Sequence, residues 1–388
     1  MIHNLMPSLG KPLGPTKLCL TAKMKIEPDT KARKELLKVM RVYRNACNYT
    51  SKFAFRYQQT SPLVLHRYLY EDIRERFGLR SQMTESVFRT VAAAYKAMDT
   101  KDEWSKPAEY KKPFAAWVYD RDYKINGDTV VLSTLKSNVD VALITKGMRE
   151  YLIDGWKFGT SRINISGSEW YLEVPVTKEA PALHFDETNC VVGCDLGLNF
   201  LVTAYDSNGM TTFFSGREIK HKRQHYFNLR TELSQKGTAS AKMRLHSISN
   251  REYRFMQDVN HTVAKHLVES YPPGTAFVLE DLKNIAPKLK ENFGSSFHAL
   301  SNWPFADLRQ KIEYKALKHG SRVITVDPKY TSQTCPRCGY SHKENRNSRQ
   351  HILKCKRCGY SSNDDRVAAM NILHRGLQQL QALQAEHA

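Results

Sequence analysis

The sequence predicts two kinds of domain in one chain, a β-barrel interrupted by helices and an α/β domain interrupted by a zinc ribbon. The first half has strand-like runs at both ends and amphipathic helices between them. The second half begins with apolar strands and then alternates helices with strands. Four cysteines near the end of the chain form two C-x2-C pairs, which is typical of a zinc ribbon. A chain of 388 residues is long enough for two or three domains.

The N-terminal half begins with a strand and a helix. Apolar and polar residues alternate over residues 18–26, and Pro28-Asp29-Thr30 then begins a helix with one buried stripe. A second amphipathic helix is predicted over residues 85–98. Further strands are predicted over residues 129–132, 139–144, 162–165 and 170–176, the last two joined by a turn at residues 166–168.

These elements predict a small β-barrel that is interrupted by a helical insert. We assign residues 1–30 and 115–187 to the barrel and residues 31–114 to the insert. The side of the first helix opposite its buried stripe is basic, so its cations are candidates for contact with nucleic acid. Each of them alone also fits a solvated surface charge. These candidates are Lys34, Lys38, Arg41, Arg44 and Lys52.

A polar, aperiodic segment at residues 178–188 predicts a linker to the second half. The elements predicted beyond it are strands over residues 191–196, 201–205 and 210–214, helices over 217–235 and 249–270, a strand over 275–279, a helix over 305–318, a strand over 322–326 and a helix over 365–380. Antiparallel strands followed by alternating helices and strands indicate an α/β domain of ribonuclease H type. We assign residues 188–330 and 360–380 to this domain, 331–359 to the zinc ribbon and 381–388 to a tail.

The ribbon is predicted from Cys335, Cys338, Cys355 and Cys358, with sixteen residues between the two pairs. Each C-x2-C supplies two thiolates from one tight turn, and Zn²⁺ prefers four such ligands in a tetrahedron. Each pair runs into Gly-Tyr, and glycine lets the turn fold back. Two disulfides or four buried thiols are the alternatives. His342 and His351 lie between the pairs, and four cysteines leave no need for them as zinc ligands.

The charge of the chain predicts a nucleic-acid partner. It carries 59 Lys+Arg against 39 Asp+Glu, a formal net charge of +20, and a polyanion would neutralise this excess. The other four cysteines lie in apolar or helical contexts, which argues against a secreted disulfide framework. No run approaches eighteen apolar residues, and prolines interrupt the first twenty residues. We therefore expect an intracellular protein without a membrane span.

Carboxylates stand at positions where a packed domain does not need them. Asp195 interrupts one apolar strand, Glu280 ends another, and Asp364-Asp365 begins the last helix. A buried carboxylate costs several kcal/mol unless a cation or a donor meets it. Singly, Asp195 fits a strand-end acceptor, and Asp364 or Asp365 fits a helix N-cap. Together they predict a site for Mg²⁺ or Mn²⁺, which prefer oxygen ligands.

Two strand motifs carry a resemblance to a known family. Gly193-Cys194-Asp195-Leu196-Gly197 resembles the first RuvC motif of the TnpB proteins of insertion sequences and of their relatives, the compact type V CRISPR nucleases. Val278-Leu279-Glu280-Asp281-Leu282 resembles the second motif, in which the glutamate is catalytic.

The resemblance continues through the ribbon. Residues 330–335 are similar to the entry of the family into its zinc ribbon. Residues 365–372 resemble the third motif, Asp-x-Asn-Ala-Ala-x-Asn-Ile, with Val367 in place of the usual asparagine. The likeness covers roughly residues 190–375. Over the N-terminal half it is architectural only, and implies a wedge-like barrel with a helical recognition insert.

The resemblance implies an RNA-guided DNA endonuclease with a RuvC-like nuclease domain. Asp195, Glu280 and Asp365 would be its catalytic acids and its Mg²⁺ or Mn²⁺ ligands, because alignment on Ala368-Ala369 selects Asp365 over Asp364. A guide RNA would pair with one strand of double-stranded target DNA, and the protein would read a short adjacent motif. Such a protein would act in the prokaryotic cytoplasm, at the nucleoid.

Further cations are candidates for nucleic-acid contact on the nuclease side. They are Lys220, Lys222, Arg223, Arg251 and Arg254. The ribbon, which would also brace the catalytic helix, adds Arg337, Lys343, Arg346, Arg349, Lys354, Lys356 and Arg357. Two other functions stay open. A guided DNA-binding repressor would lack one of the three acids, whereas all three are present here. An unguided transposase or resolvase would need no RNA. The oligomeric state is not predicted.

Overall fold

The computed structural model describes residues 16–99, 104, 106–153, 155–184, 187–281, 305–347 and 349–385. The chain divides into two compact units. The N-terminal unit is Cys19–Glu179, and the C-terminal unit holds the described residues before Cys19 and from Ala180 onward. No helix in the described part of the chain is long and apolar enough to cross a membrane.

The N-terminal unit contains one sheet with strands of very different length. They are β1 (Lys17–Glu27), β2 (Tyr123–Asn126), β3 (Thr129–Ser133), β4 (Asn138–Ile144), β5 (Lys157–Phe158), β6 (Arg162–Ser166) and β7 (Glu169–Glu179). The order is β2-β3-β4-β1-β7-β5, and β6 also pairs with β7. Alternate residues of β7 are buried, as expected for a strand with one face on the core. This path ends at β2 and β5, so closure into a barrel stays a prediction.

Three helices lie between β1 and β2 in the described chain: α1 (Thr30–Tyr57), α2 (Pro62–Phe77) and α3 (Ser81–Asp99). The predicted start of α1 is confirmed, because Asp29 Oδ1 accepts a hydrogen bond from the amide of Ala32 at 2.7 Å. Helix α2 was not predicted from the sequence. Its buried stripe is thin, with Leu65, Leu69 and Ile73 repeating at four-residue steps.

The C-terminal unit contains a five-stranded sheet of β8 (Cys190–Asp195), β9 (Phe200–Asp206), β10 (Thr211–Ser215), β11 (Thr275–Glu280) and β12 (Arg322–Val326). The order is β10-β9-β8-β11-β12. β9 is antiparallel to both of its neighbours, whereas β8, β11 and β12 are mutually parallel. The carboxyl ends of β8 and β11 therefore lie at the same edge of the sheet. All five predicted strands are confirmed.

The helices of this unit are α4 (Arg217–Lys236), α5 (Ala239–Glu269), α6 (Phe305–Lys318) and α7 (Asp364–Ala385). The predicted bounds of α6 are correct, and α7 runs beyond its predicted end into the segment that we expected to be a tail. The prediction for α5 is wrong at its start. The helix begins at Ala239, because the Thr238 hydroxyl caps it by accepting from the amide of Ala241 at 3.2 Å.

The sheet is covered on both faces. Because successive side chains of a strand point to opposite faces, the odd and even residues of β8 and β11 belong to two separate cores. Val192 and Phe277 pack in one core with residues of α5 and α6. Val191 and Val278 pack in the other core with residues of α7.

Helix α7 lies unusually close to β8 and β11. A Cβ placed on Gly193 would lie 2.2 Å from the carbonyl oxygen of Ala369, and one placed on Gly376 would lie 2.4 Å from Val278 Cγ2. No real Cβ atom approaches a neighbour so closely. Glycine at these two positions therefore lets helix and sheet backbones meet, which fixes where the first turn of α7 lies.

The ribbon is inserted between β12 and α7. It contains a small antiparallel sheet of β13 (Arg346–Asn347), β14 (Ile352–Lys354) and β15 (Ser361–Asn363). β15 runs directly into α7, so the ribbon determines how the final helix enters the domain.

Candidate active site and metal centre

Asp195 and Glu280 occupy the last positions of two neighbouring parallel strands. The register pairs Cys194 with Leu279, which places the two acids side by side at the carboxyl edge of the sheet. Each acid follows a run of buried strand residues and is itself half-buried. The predicted strand-end positions are therefore confirmed.

The electrostatic environment of Asp195 links all three predicted acids. Burial raises the pKa of its carboxyl well above the usual value, and the charges of Glu280 and Asp365 raise it further. Burial also raises the pKa of Asp365, to which the charge of Asp364 adds. Neighbouring carboxylates whose charges raise the pKa of Asp195 favour the binding of a cation beside it.

A hydroxyl from the ribbon entry holds Glu280. Thr331 Oγ1 donates a hydrogen bond of 2.6 Å to Glu280 Oε1, and Thr331 is itself buried. Burial raises the pKa of Glu280, whereas this hydrogen bond and the charge of Arg375 lower it. Asn371 of α7 donates to the carbonyls of Thr331 and Thr334 at 2.6 and 2.8 Å. Thr331 therefore orients Glu280, and Asn371 of α7 fixes the position of Thr331.

The structure corrects the expectation for Asp364. It does not cap α7, because Asn363 Oδ1 accepts the hydrogen bond from the amide of Arg366 at 2.9 Å. Asp364 is fully buried, and its Oδ2 accepts from Arg346 Nε at 2.8 Å. Asp364 also lies beside Asp365, since oxygens of both carboxylates lie within 4.8 Å of each other and of a His351 nitrogen.

The role of Arg346 in the site was not predicted from the sequence. We expected it to contact nucleic acid from the ribbon. It contacts Asp364 instead, and Nη1 donates to the hydroxyl of Ser332 at 3.1 Å. Its charge lowers the pKa of Asp195 and of Asp365 against the effect of burial. No local pattern identifies this role, because it depends on the fold of the ribbon against α7.

The three predicted acids do not share one tight cluster. Among the described residues, oxygens of Asp195, Glu280 and Asp365 do not all lie within 4.8 Å of one another, whereas His351, Asp364 and Asp365 meet that limit. Oδ1 of Asp364 is buried without a hydrogen-bond partner. Carboxylate oxygens are the ligands that Mg²⁺ and Mn²⁺ prefer, so the donor set at this edge fits such an ion.

The four cysteines of the ribbon converge. Their sulfur atoms all lie within 4.8 Å of one another, and the Sγ atoms of Cys335 and Cys358, and of Cys338 and Cys355, are 3.6 Å apart. A disulfide has an S–S distance of about 2.05 Å, so these pairs are not disulfides. Tetrahedral zinc with Zn–S of about 2.3 Å separates its sulfurs by roughly 3.8 Å. The geometry fits zinc.

The two C-x2-C turns have the same backbone pattern. In each turn the glycine amide donates to the first cysteine carbonyl, and that cysteine amide donates to the following tyrosine carbonyl, all at 2.8–3.0 Å. Gly339 and Gly359 have φ of 72° and 70°, a conformation that glycine adopts without strain. The paired glycines are therefore required by the turns, as the sequence analysis expected.

Hydrogen bonds from backbone amides favour the thiolate form of Cys355, which is the form that binds metal. Burial raises the pKa of Cys355, but hydrogen bonds from the amides of Cys358 and Arg357 outweigh it and lower the pKa to about 6. Buried Asn345 ties the two turns together, because its Nδ2 donates to the Tyr340 carbonyl at 3.1 Å and its Oδ1 accepts from the Lys356 amide at 3.0 Å. The role of Asn345 was likewise not predicted from the sequence.

Two family profiles match the part of the chain that carries these features. Residues 173–287, which include β8 and β11, match a "Probable transposase" family (OrfB_IS605). Residues 305–372, which include the ribbon and the start of α7, match a "Cas12f1-like, TNB domain" family. These matches support the resemblance to the TnpB proteins and their Cas12f1 relatives over residues 173–287 and 305–372.

Curated proteins that are similar to this chain carry related names. The chain is 33% identical over 195 residues to a "CRISPR-associated endodeoxyribonuclease Cas12f1" of Syntrophomonas palmitatica, a match that covers 47% of this chain and 38% of the relative. It is 26% identical over 263 residues to a "TnpB-like protein" of Methanocaldococcus jannaschii, covering 65% and 92%. It is 29% identical over 208 residues to the "Putative RNA-guided DNA endonuclease InsQ" of Escherichia coli K12, covering 48% and 49%. The chain thus spans about half or less of the length of two of these relatives.

Solved structures share the fold. A chain in a Cas12f1–sgRNA–target DNA complex superposes with a TM-score of 0.61 at 14% identity, covering 92% of this chain and 99% of that one. The mini-RNA-guided endonuclease CRISPR-Cas_phi3 gives a TM-score of 0.56 at 12% identity, covering 96% and 94%. At these identities the likeness shows the fold alone.

Most of the cations predicted to contact nucleic acid are exposed. They are Lys34, Lys38, Arg41, Lys52, Lys220, Lys222, Arg251 and Arg254. Arg44 is half-buried and donates to the carbonyl of Lys111 at 3.2 Å. The expectation that Arg223 contacts nucleic acid is wrong. Its side chain is only 11% exposed and lies 3.8 Å from Glu252 in the interior of the α4–α5 pair. Its position serves that packing rather than a surface contact.

Proposed function

We propose that this chain is an RNA-guided DNA endonuclease of the TnpB type. The observation that carries the proposal is the meeting of β8, β11 and α7 at one sheet edge, where Asp195 experiences the charges of both Glu280 and Asp365. Such a set of half-buried acids lowers stability unless it binds a cation, and clusters of this kind are typical of functional sites.

In this proposal Asp195, Glu280 and Asp365 are the catalytic acids. They hold Mg²⁺ or Mn²⁺, which when bound activates water and stabilises the leaving oxygen of a phosphodiester. Thr331 orients Glu280 through its hydrogen bond of 2.6 Å. Arg346 reduces the repulsion among the acids before any ion binds.

Cys335, Cys338, Cys355 and Cys358 hold structural zinc in the same proposal. Four thiolates leave no open position on the metal, which is typical of structural rather than catalytic zinc. The zinc ribbon then contributes to the site by presenting Thr331 and Arg346 to the acids.

The partners are a guide RNA and double-stranded target DNA, in the cytoplasm of a prokaryote and at its nucleoid. Support comes from the printed functions of the relatives and from a net charge of +20 on this chain. The N-terminal unit would serve as the wedge and recognition module, and residues 188–330 with 360–380 as the RuvC-like nuclease of ribonuclease H type.

The first experiment isolates RNA that copurifies with the protein and sequences it. The protein is then incubated with that RNA, Mg²⁺ and plasmids that carry the complementary target beside randomised flanks, and cleaved products are sequenced. We expect cleavage beside one short motif. Absence of any bound RNA would instead assign an unguided DNA-binding protein, and guided binding without cleavage would assign a repressor.

The second experiment assigns the acids. Asp195→Ala, Glu280→Ala and Asp365→Ala should each lose cleavage by orders of magnitude and retain guide and target binding, because binding rests on cations elsewhere. Asp258→Ala removes an exposed acid of α5 and is the matched control. Wild-type cleavage by Asp195→Ala would overturn the assignment of the enzyme.

A further inference from the structure

A cationic cleft lies between α4 and α5, within the C-terminal unit. Its volume is about 440 Å³. The residues that line it are Lys222, His225, Tyr226 and Leu229 of α4 and Arg244, Ser247, Ile248 and Arg251 of α5. Only Lys222 and Arg251 among them were expected to contact nucleic acid from the sequence.

The rim of this cleft is positive. Lys222, Arg244 and Arg251 are exposed at its edge, and none of the described residues that line it is acidic. Three cations that repel one another around one concavity favour a polyanionic occupant. A phosphodiester chain is the polyanion that the proposed function supplies.

The acid nearest in sequence is already neutralised inside the helix pair. Glu252 is buried, forms an ion pair with Arg230, and lies 3.8 Å from Arg223 Nε. It is not among the residues that line the cleft. The rim cations therefore keep their charge available on the surface, whereas Arg223 and Arg230 are used in packing.

The floor of the cleft is apolar. Buried Ile248 and half-buried Tyr226 and Leu229 belong to the small core that joins α4 to α5. An apolar floor beneath a cationic rim suits a nucleotide, whose base or ribose contacts the floor while its phosphate contacts the rim. A free inorganic anion would not use the floor.

We propose that the α4–α5 cleft binds a nucleotide of single-stranded nucleic acid, with its phosphates on Lys222, Arg244 and Arg251. The strand is either the guide RNA or a single strand of the target DNA, which share this chemistry. The identity of that strand rests on the proposed function, whereas the existence of the site does not.

The test measures binding of labelled oligomers of identical sequence, one of RNA and one of DNA, by fluorescence anisotropy. The variant is Arg244→Ala combined with Arg251→Ala. The matched control is Lys236→Ala combined with Lys242→Ala, which removes the same charge from exposed positions of α4 and α5 outside the cleft. Since all four residues are exposed, both double variants should fold as the wild type does.

We expect the cleft variant to bind the cognate strand at least about tenfold more weakly than the control does. The slope of log affinity against log salt should become shallower by roughly 0.7 for each phosphate of a single strand that the variant no longer neutralises. A larger decrease in affinity for RNA assigns the guide, and a larger decrease for DNA assigns the target strand. Equal affinities of cleft variant and control for both oligomers would overturn the proposal, even if the wild type is a guided nuclease.

Discussion

Arg346 and Asp364 form an ion pair, with 2.8 Å between Nε and Oδ2, that joins the ribbon to the first turn of α7. Asp364 is fully buried, so its charge has been removed from water, whereas Arg346 keeps about a third of its side chain exposed. The residue that follows Asp364 is the proposed third catalytic acid. A contact made by the ribbon therefore holds the backbone that carries Asp365.

The first prediction concerns this ion pair. Arg346→Ala should lower the free energy of unfolding by about 1.5–3 kcal/mol, because a charged hydrogen-bond acceptor is left buried. Cleavage should fall by roughly 10–100-fold, as for other residues that orient metal ligands, and should need more Mg²⁺ to reach half its maximum. Thermal melts and a Mg²⁺ titration of cleavage measure the two effects.

Arg349→Ala is the matched control, since Arg349 is an exposed arginine of the same ribbon. If Arg346→Ala lowered stability but kept its wild-type Mg²⁺ requirement, the role of Arg346 would be purely structural. If it lowered nucleic-acid affinity instead, the original expectation of a surface contact would be restored.

The second prediction is one zinc ion per chain at the four-cysteine centre. Cys355→Ser should release it and lower the melting temperature, because binding of structural zinc contributes free energy of folding directly. Elemental analysis of protein purified without chelators gives the ratio. Cys19→Ser should keep the metal, since Cys19 is an exposed cysteine outside the ribbon. A wild-type ratio near zero would rule out the zinc assignment.

The third prediction tests the close approach of α7 to the sheet. Gly193→Ala should destabilise the protein by more than about 3 kcal/mol, because the added methyl group would meet the backbone of Ala369 and Leu373 rather than a movable side chain. Gly237→Ala is the comparison, because its Cβ meets nothing within 4 Å. Its positive φ should cost only about 1–2 kcal/mol. Chemical denaturation that gave equal decreases in stability would show that the helix can move away.

The fourth prediction concerns the metal-free protein and pH. The pKa of Asp195 is raised by burial and by neighbouring acids, so the folded state holds its proton more tightly than the unfolded state does. Stability should therefore fall as pH rises above about 3.9, the unfolded value, until it passes the raised value, by at most about 1.4 kcal/mol per pH unit for one group.

Asp195→Asn removes this contribution, so in EDTA at neutral pH the variant should melt at a higher temperature than the wild type. Addition of Mg²⁺ should then raise the melting temperature of the wild type more than that of the variant. Denaturation curves across pH provide the measurement. A variant less stable than the wild type in EDTA would show that Asp195 is not under electrostatic strain.

Helices and strands were predicted correctly from the sequence where a local pattern of buried apolar residues determines them. The strands of the C-terminal unit are short apolar runs, and β12 and α6 have the predicted bounds because their neighbours break the pattern sharply. The first turns of α5 were not predicted, although Ala241, Leu245 and Ile248 recur at four- and three-residue steps and pack with Leu233 of α4. The small residues 237–240 indicate a linker when they are considered locally, whereas packing against α4 stabilises the helix from Ala239 onward.

The residues of the candidate site also fall into two groups, those that local sequence predicts and those that depend on the tertiary fold. Asp195 and Glu280 were predictable because a carboxylate that interrupts an apolar strand is conspicuous in the sequence. The partnership of Arg346 with Asp364 was not, since it joins residues eighteen positions apart through a fold that the four cysteines organise. The expectation that Asp364 was only a cap failed because Asn363 already performs that role.

Because the ribbon lies between β12 and α7, the C-terminal unit cannot finish folding during synthesis until the ribbon and then α7 have been made. Val191 and Val278 pack against α7, which emerges from the ribosome after the entire ribbon. Until then one face of the sheet lacks its helix, and Asp195 lacks the neighbouring charge of Asp365. A chain interrupted during translation therefore carries two of the three proposed catalytic acids and an exposed apolar surface, which makes it a target for proteolysis.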